Sequence, residues 1–95
     1  VVNKSSEAKK TLDDFFAHLN ELGKWYIHYT SEVPKKIFVN PEIIARMARV
    51  EGFYQRPELQ GMVTASAPVI RWLKMDFGMV LIVDDWEEKF LHYED

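Results

Sequence analysis

Cysteine is absent from these 95 residues. That excludes a disulfide scaffold, a zinc ribbon, a redox thiol and a cysteine nucleophile. Histidine is scarce, with only His18, His28 and His92, and no two of them have the i, i+4 spacing of a helical metal site. His92 does lie four residues after Glu88, but the surrounding Asp84, Asp85, Glu87 and Glu88 read as helix caps and solvated charge. The glycines Gly23, Gly52, Gly61 and Gly78 are too far apart for a phosphate-cradling loop, and no Gly-x-Ser-x-Gly surrounds Ser66. Asp76-Phe77-Gly78 matches the magnesium-binding triplet of protein kinases, but no glycine-rich loop, paired lysine or catalytic loop accompanies it, so it reads as a turn. Long apolar runs are also missing. The longest, Met79 to Val83, is far short of the ~20 residues a membrane span needs, and no signal-peptide pattern opens the chain. These absences point to a small non-membrane domain, cytoplasmic in its cell (the host cell, if it is viral), with no cofactor or metal and no recognisable catalytic apparatus.

What the chain does contain is charge asymmetry and many aromatic rings. The net charge is −3, an acidic balance overall, but residues 1–23 sum to −1, residues 24–74 to +4 and residues 75–95 to −6. A basic middle and an acidic end can attract one copy to another, or the end can occupy a basic partner protein. The low isoelectric point argues against nucleic acid, because phosphate attraction to Arg46, Arg49, Arg56, Arg71 and the lysines would have to overcome the acidic end. Hydrophobic residues make up 47% of the chain, enough for one core, so residues 1–95 are expected to form a single domain with residues 1–10 frayed.

The apolar pattern predicts an α+β fold. Leu12, Phe15, Phe16, Leu19 and Leu22 line one face of a helix over 11–22, with Thr11 or Ser6 as its cap and Gly23 as its stop. Lys24 to Thr30 reads as a strand, with Trp25, Ile27 and Tyr29 on one side and Tyr26, His28 and Thr30 on the other. Ile37-Phe38-Val39 is a second strand. Asn40 then caps a helix over 41–51, with Pro41 at its first position, Glu42 complementing its dipole and Gly52 ending it. Residues 53–67 read as an irregular loop. Val69 to Met75 alternates as a strand, and Met79 to Val83 reads as a central buried one. Asp84 or Asp85 caps a short C-terminal helix holding Trp86, Phe90 and Leu91. The expected architecture is a mostly antiparallel sheet of about four strands, with two helices on one face and the short helix closing an edge.

Thirteen aromatic residues exceed what so small a core can hold. Aromatic residues, Met and Arg are the types enriched at protein interfaces, so Phe53, Tyr54, Arg56, Trp72 and Trp86 are the expected protein-interaction residues. In the Phe53–Pro57 loop the adjacent rings of Phe53 and Tyr54 should point apart, one inward and one outward. The expected function is a non-enzymatic protein-interaction or self-assembly module, acting on itself as a homo-oligomer or on a protein partner. The alternatives are a small acidic inhibitor or nucleic-acid mimic that binds a basic partner, and a small enzyme.

Ile37-Phe38-Val39-Asn40-Pro41-Glu42 followed by a helix resembles the strand-to-helix segment of tailed-phage major capsid proteins. Phe77-Gly78-Met79-Val80-Leu81-Ile82-Val83-Asp84-Asp85 is similar in form and spacing to their downstream glycine and acid-terminated strand. The resemblance covers residues 11–85 at most. It departs from the pattern at Val80, where those proteins often carry proline, and 95 residues cannot hold the spine helix and extended arm of a whole subunit. It implies a phage-derived structural protein that assembles with its own copies.

Overall fold

The computed structural model describes residues 4–60, 62–63, 68–69, 72–84 and 91–94. It is α+β, with two helices and a four-stranded mixed sheet. Helix α1 spans Lys4–Thr30, strand β1 Lys36–Val39 and helix α2 Pro41–Ala48. A 3-10 turn at Phe53–Gln55 leads to the short strands β2 (Met62–Val63) and β3 (Pro68–Val69), which pair with each other as a two-stranded sheet. Strands β4 (Trp72–Met75), β5 (Gly78–Asp84) and β6 (Leu91–Glu94) complete the main sheet. Its order is β4-β5-β1-β6. β5 is antiparallel to β4 and parallel to β1, and β6 is antiparallel to β1.

Helix α1 differs most from expectation. Gly23 does not stop it, and Lys24 to Thr30 is helix rather than strand. The apolar spacing of Leu12, Phe16 and Leu19 continues through Leu22 to Tyr26, so one helical stripe packs against the sheet across the glycine. Gly23 is tolerated in mid-helix because the ring of Phe77 lies against it, and a methyl group there would overlap that ring. Termination falls to Ser31, which takes a left-handed φ of 60° and donates its N–H to the Ile27 carbonyl at 2.8 Å. At the other end, Thr11 is an interior residue whose hydroxyl donates to the Glu7 carbonyl, not a cap, and the segment expected to fray is helical from Lys4.

One side of the sheet carries the core. Ile37 and Val39 of β1, Leu73 and Met75 of β4, Val80 and Ile82 of β5 and Tyr93 of β6 meet Leu12, Phe16 and Leu19 of α1, with Phe53 at the end of the cluster. Ile44, Met47 and Ala48 place α2 against the same core. Asn40 caps α2 as its residue type predicts, its Oδ1 accepting from the Glu42 N–H at 2.8 Å. The helix ends at Ala48, ahead of Gly52, whose φ of 88° turns the chain into the 3-10 segment. The β4–β5 turn is pinned to the middle of α1 in three ways. Asn20 Oδ1 accepts from the Asp76 N–H at 2.8 Å, Lys24 pairs with Asp76 at 3.5 Å, and Phe77 covers Gly23.

Strand β6, and not residues 24–30, is the fourth strand of the main sheet, at the edge beside β1. Leu91, expected in a C-terminal helix, is its first residue, and the rest of that expected helix (residues 85–90) lies outside the described residues. The stretch expected to be an irregular loop contains the 3-10 turn, strand β2 and a Leu59–Leu73 bridge that lays residues 58–60 along the free edge of β4.

Candidate protein-interaction surface

Strand geometry sends alternate side chains to opposite faces. With both helices against one face, the register leaves Lys36, Phe38, Trp72, Lys74, Met79, Leu81, Val83, His92 and Glu94 on the other. Trp72 is 44% exposed and Met79 43%, while Phe38, Leu81 and Val83 are half-buried. The Phe38 and His92 rings stack across β1 and β6 at 5.1 Å. Exposed Trp72 and Met79 and half-buried Phe38, Leu81 and Val83 thus share this face with Lys36 and Lys74.

A second aromatic patch sits on the C-terminal half of α1. Trp25 is 54% exposed and Tyr29 75%, with their rings stacked at 5.5 Å and His28 edge-on to both. The patch borders a cleft of about 290 Å³ lined by Leu22, Trp25, Tyr26, Tyr29 and Thr30 from the helix and by His92 and Tyr93 from β6. Tyr93 is buried, its ring edge-on to Phe77. Its hydroxyl has no hydrogen-bond partner among the described residues, and burial pushes its pKa well above the usual tyrosine range.

The expected interaction residues fall into different settings. Phe53 is in the core, stacked on Phe16 at 6.3 Å, while Tyr54 is 41% exposed and edge-on to it. The Arg56 guanidinium is engaged within the chain. Its Nε and one terminal nitrogen donate to Glu58 at 3.1 and 2.9 Å, its other terminal nitrogen donates to Asp13, and its Cζ lies 5.3 Å from the Phe16 ring centre. The hydrogen bond to Glu58 raises its pKa most; its own burial opposes this, and the bond to Asp13 adds to it. Trp72 is on the outer sheet face, on a different element from Tyr54. Trp86 lies outside the described residues. Trp25 and Tyr29 were not among the expected interaction residues; read as strand residues, they lie instead on the exposed side of α1. The continuation of the α1 stripe from Leu19 through Leu22 to Tyr26 is the sequence signal that exposes them.

A charged cleft between α1 and the β4–β5 turn brings together Asp13, Glu21, Lys24, Arg56, Glu58 and Asp76. Arg56 binds Asp13 and Glu58, and Lys24 binds Asp76, so the cleft functions as a clamp between elements. Among the described residues no group of His, Asp or Glu is placed to hold a metal ion, and no helix is long and apolar enough to cross a membrane. No known protein family, curated protein or solved structure matches the chain.

Proposed function

We propose that this chain is a non-enzymatic interaction module that assembles with copies of itself through the outer face of its sheet. The observation that carries this reading is the exposure of Trp72 and Met79 beside Phe38, Leu81 and Val83, on the face opposite both helices. Four strands ~4.8 Å apart, each offering a few residues at ~3.3 Å per residue, give a face of about 300 Å². Two such faces bury about 600 Å² together, well below the ~1,200 Å² of a stable pair. Each contact is therefore weak alone, which suits an assembly in which every copy makes several. The strand β1 running through Asn40 into α2, and Gly78 opening the acid-ended β5, fit the resemblance to part of a phage capsid protein, and a shell-building structural role is the specific form of the proposal. The acidic last segment favours a second reading, an acidic protein that occupies a basic partner. Light-scattering mass measured over a concentration series up to ~100 µM, the range of a weak complex, tests the proposal. Mass rising with concentration supports it, and a monomer mass throughout contradicts self-assembly.

A further inference from the structure

The outward face of α1 is a second surface, on the opposite side of the domain from the outer sheet face. At about 100° per residue, Asp14, Ala17, Glu21, Trp25 and His28 fall on one stripe of the helix. That stripe lies opposite Leu12, Phe16 and Leu19, which meet the core, and all five of its residues are exposed. Trp25 is held in place before any contact forms. Tyr29 stacks on it at 5.5 Å and His28 packs edge-on to it at 6.0 Å. A ring fixed in advance loses little freedom when a partner covers it.

The order of the stripe selects the occupant. Its spacings are three, four, four and three residues, the same read in either direction, with Glu21 at the centre. A second copy of α1 laid antiparallel about Glu21 therefore sets Trp25 over Ala17 of that copy, the largest side chain of the stripe on the smallest. It also sets His28 beside Asp14, an imidazole N–H donor beside a carboxylate acceptor. Both contacts occur twice. A parallel copy would instead set Trp25 on Trp25 and Asp14 on Asp14. The unfavourable point is the centre, where Glu21 meets Glu21. We infer that α1 pairs antiparallel with α1 of a second copy, about a two-fold axis at Glu21, with Trp25 seated on Ala17. This inference rests on the reading of the chain as a self-assembling module, and it supplies a second contact for each copy. The stretch from Asp14 to His28 is about 21 Å long and ~10 Å wide, so it covers about 200 Å² per copy, less than the sheet face. The helix contact therefore extends pairs made elsewhere. Two self-complementary contacts on opposite sides of the domain, used in alternation, carry the assembly past a pair.

Because the chain has no cysteine, a single introduced thiol reports its neighbour. Glu21→Cys places one on the proposed axis, beside its own counterpart. Lys10→Cys places one at an exposed position further along the helix, about 33 Å from its counterpart in this register. Each variant of the full chain is treated at ~100 µM with a short bismaleimide, whose reach suits the ~8–10 Å between packed helix axes, and is read on a denaturing gel. Glu21→Cys is expected to give a cross-linked dimer and Lys10→Cys is not. Adding Trp25→Ala to Glu21→Cys should cut the yield about tenfold. Asp14→Lys or His28→Glu should each lower it severalfold, and the two together should restore it. Those positions are about 21 Å apart on one helix, so restoration passes through the other copy. All these side chains are exposed, so thermal unfolding should stay unchanged. The inference is overturned if Glu21→Cys does not cross-link, if Lys10→Cys cross-links as readily, or if the double exchange stays as weak as the single ones. Adding Trp72→Ser separates the two proposals. Cross-linking that persists there supports the helix contact whatever becomes of the sheet face, and cross-linking lost there traces to the sheet contact and overturns the inference. Mass that grows with concentration while Glu21→Cys fails to cross-link removes only the helix contact.

Discussion

Replacing Gly23 by alanine should destabilise this protein even though alanine is the better helix former. In an exposed helix interior the change gains about 1 kcal/mol. Here the added methyl overlaps the Phe77 ring, so the ring must move. Phe77 is half-buried, and its displacement gives up part of the ~1.5–3 kcal/mol that a fully buried large apolar side chain is worth, or about 1 kcal/mol. It also gives up the edge-on contact with Tyr93 at 5.7 Å, a type of pair worth about 0.5–1.5 kcal/mol. The losses exceed the gain by about 1 kcal/mol, a fall in Tm of roughly 4–8 °C for a domain of this size. The assay is a double-mutant cycle by thermal or urea unfolding. In a Phe77→Ala background the overlap is gone, so Gly23→Ala should then stabilise by about 1 kcal/mol, reversing its sign. If Gly23→Ala stabilises the wild-type background by the full helix-propensity amount, the ring contact does not explain the glycine.

Three further outcomes follow from the described contacts. Asn40→Ala removes the hydrogen bond to the Glu42 N–H and should cost about 1 kcal/mol in urea unfolding without altering association. Arg56→Ala cuts its bonds to Asp13 and Glu58 and should cost about 1–2 kcal/mol, whereas Tyr54→Ala should stay within about 0.5 kcal/mol; equal losses would show that the Arg56 clamp contributes nothing. Tyr93 is held protonated by burial, while the unfolded chain ionises its tyrosines near a pH of about 10. The unfolded state then binds fewer protons than the folded state, so the stability this residue contributes is complete below that pH and is lost as pH rises toward the higher folded pKa. Tyr93→Phe should flatten this alkaline decline and leave neutral-pH stability unchanged or raised, because it deletes a hydroxyl without a partner among the described residues. Unfolding curves on either side of that pH provide the check.

Much of the architecture was legible wherever the local signal was unambiguous. Asn40-Pro41-Glu42 marks the start of α2 through side-chain chemistry that acts within one turn, and Phe77-Gly78 marks a hairpin turn. Phe53 and Tyr54 divide inward and outward because adjacent residues at an irregular turn cannot share a direction. The errors arose where a long-range contact outweighed a local preference. Gly23 is an ordinary helix stop in isolation, and only the distant Phe77 makes it an interior residue. Losing that one position turned residues 24–30 into a strand and missed the helix that carries Trp25 and Tyr29. β6 was missed for the complementary reason. Four residues, Leu91 to Glu94, carry too little alternation to announce a strand, and it is the pairing of Tyr93 with Ile37 on β1 that fixes it. Arg56 was read as a partner-facing cation although Glu58 lies two residues on, because its other carboxylate, Asp13, reaches it only through the fold, from α1.

The central claim, that the outer sheet face is an assembly surface, is tested most directly by comparing the solution mass of the wild-type chain with that of Trp72→Ser at matched concentrations up to ~100 µM. Trp72 is 44% exposed and points away from the core, so the variant should keep its thermal unfolding close to that of the wild type. The account predicts that the wild type gains mass with concentration and that Trp72→Ser remains monomeric or needs about tenfold more protein to associate. A variant that unfolds normally and associates as strongly as the wild type, or a wild type that stays monomeric throughout, would contradict it.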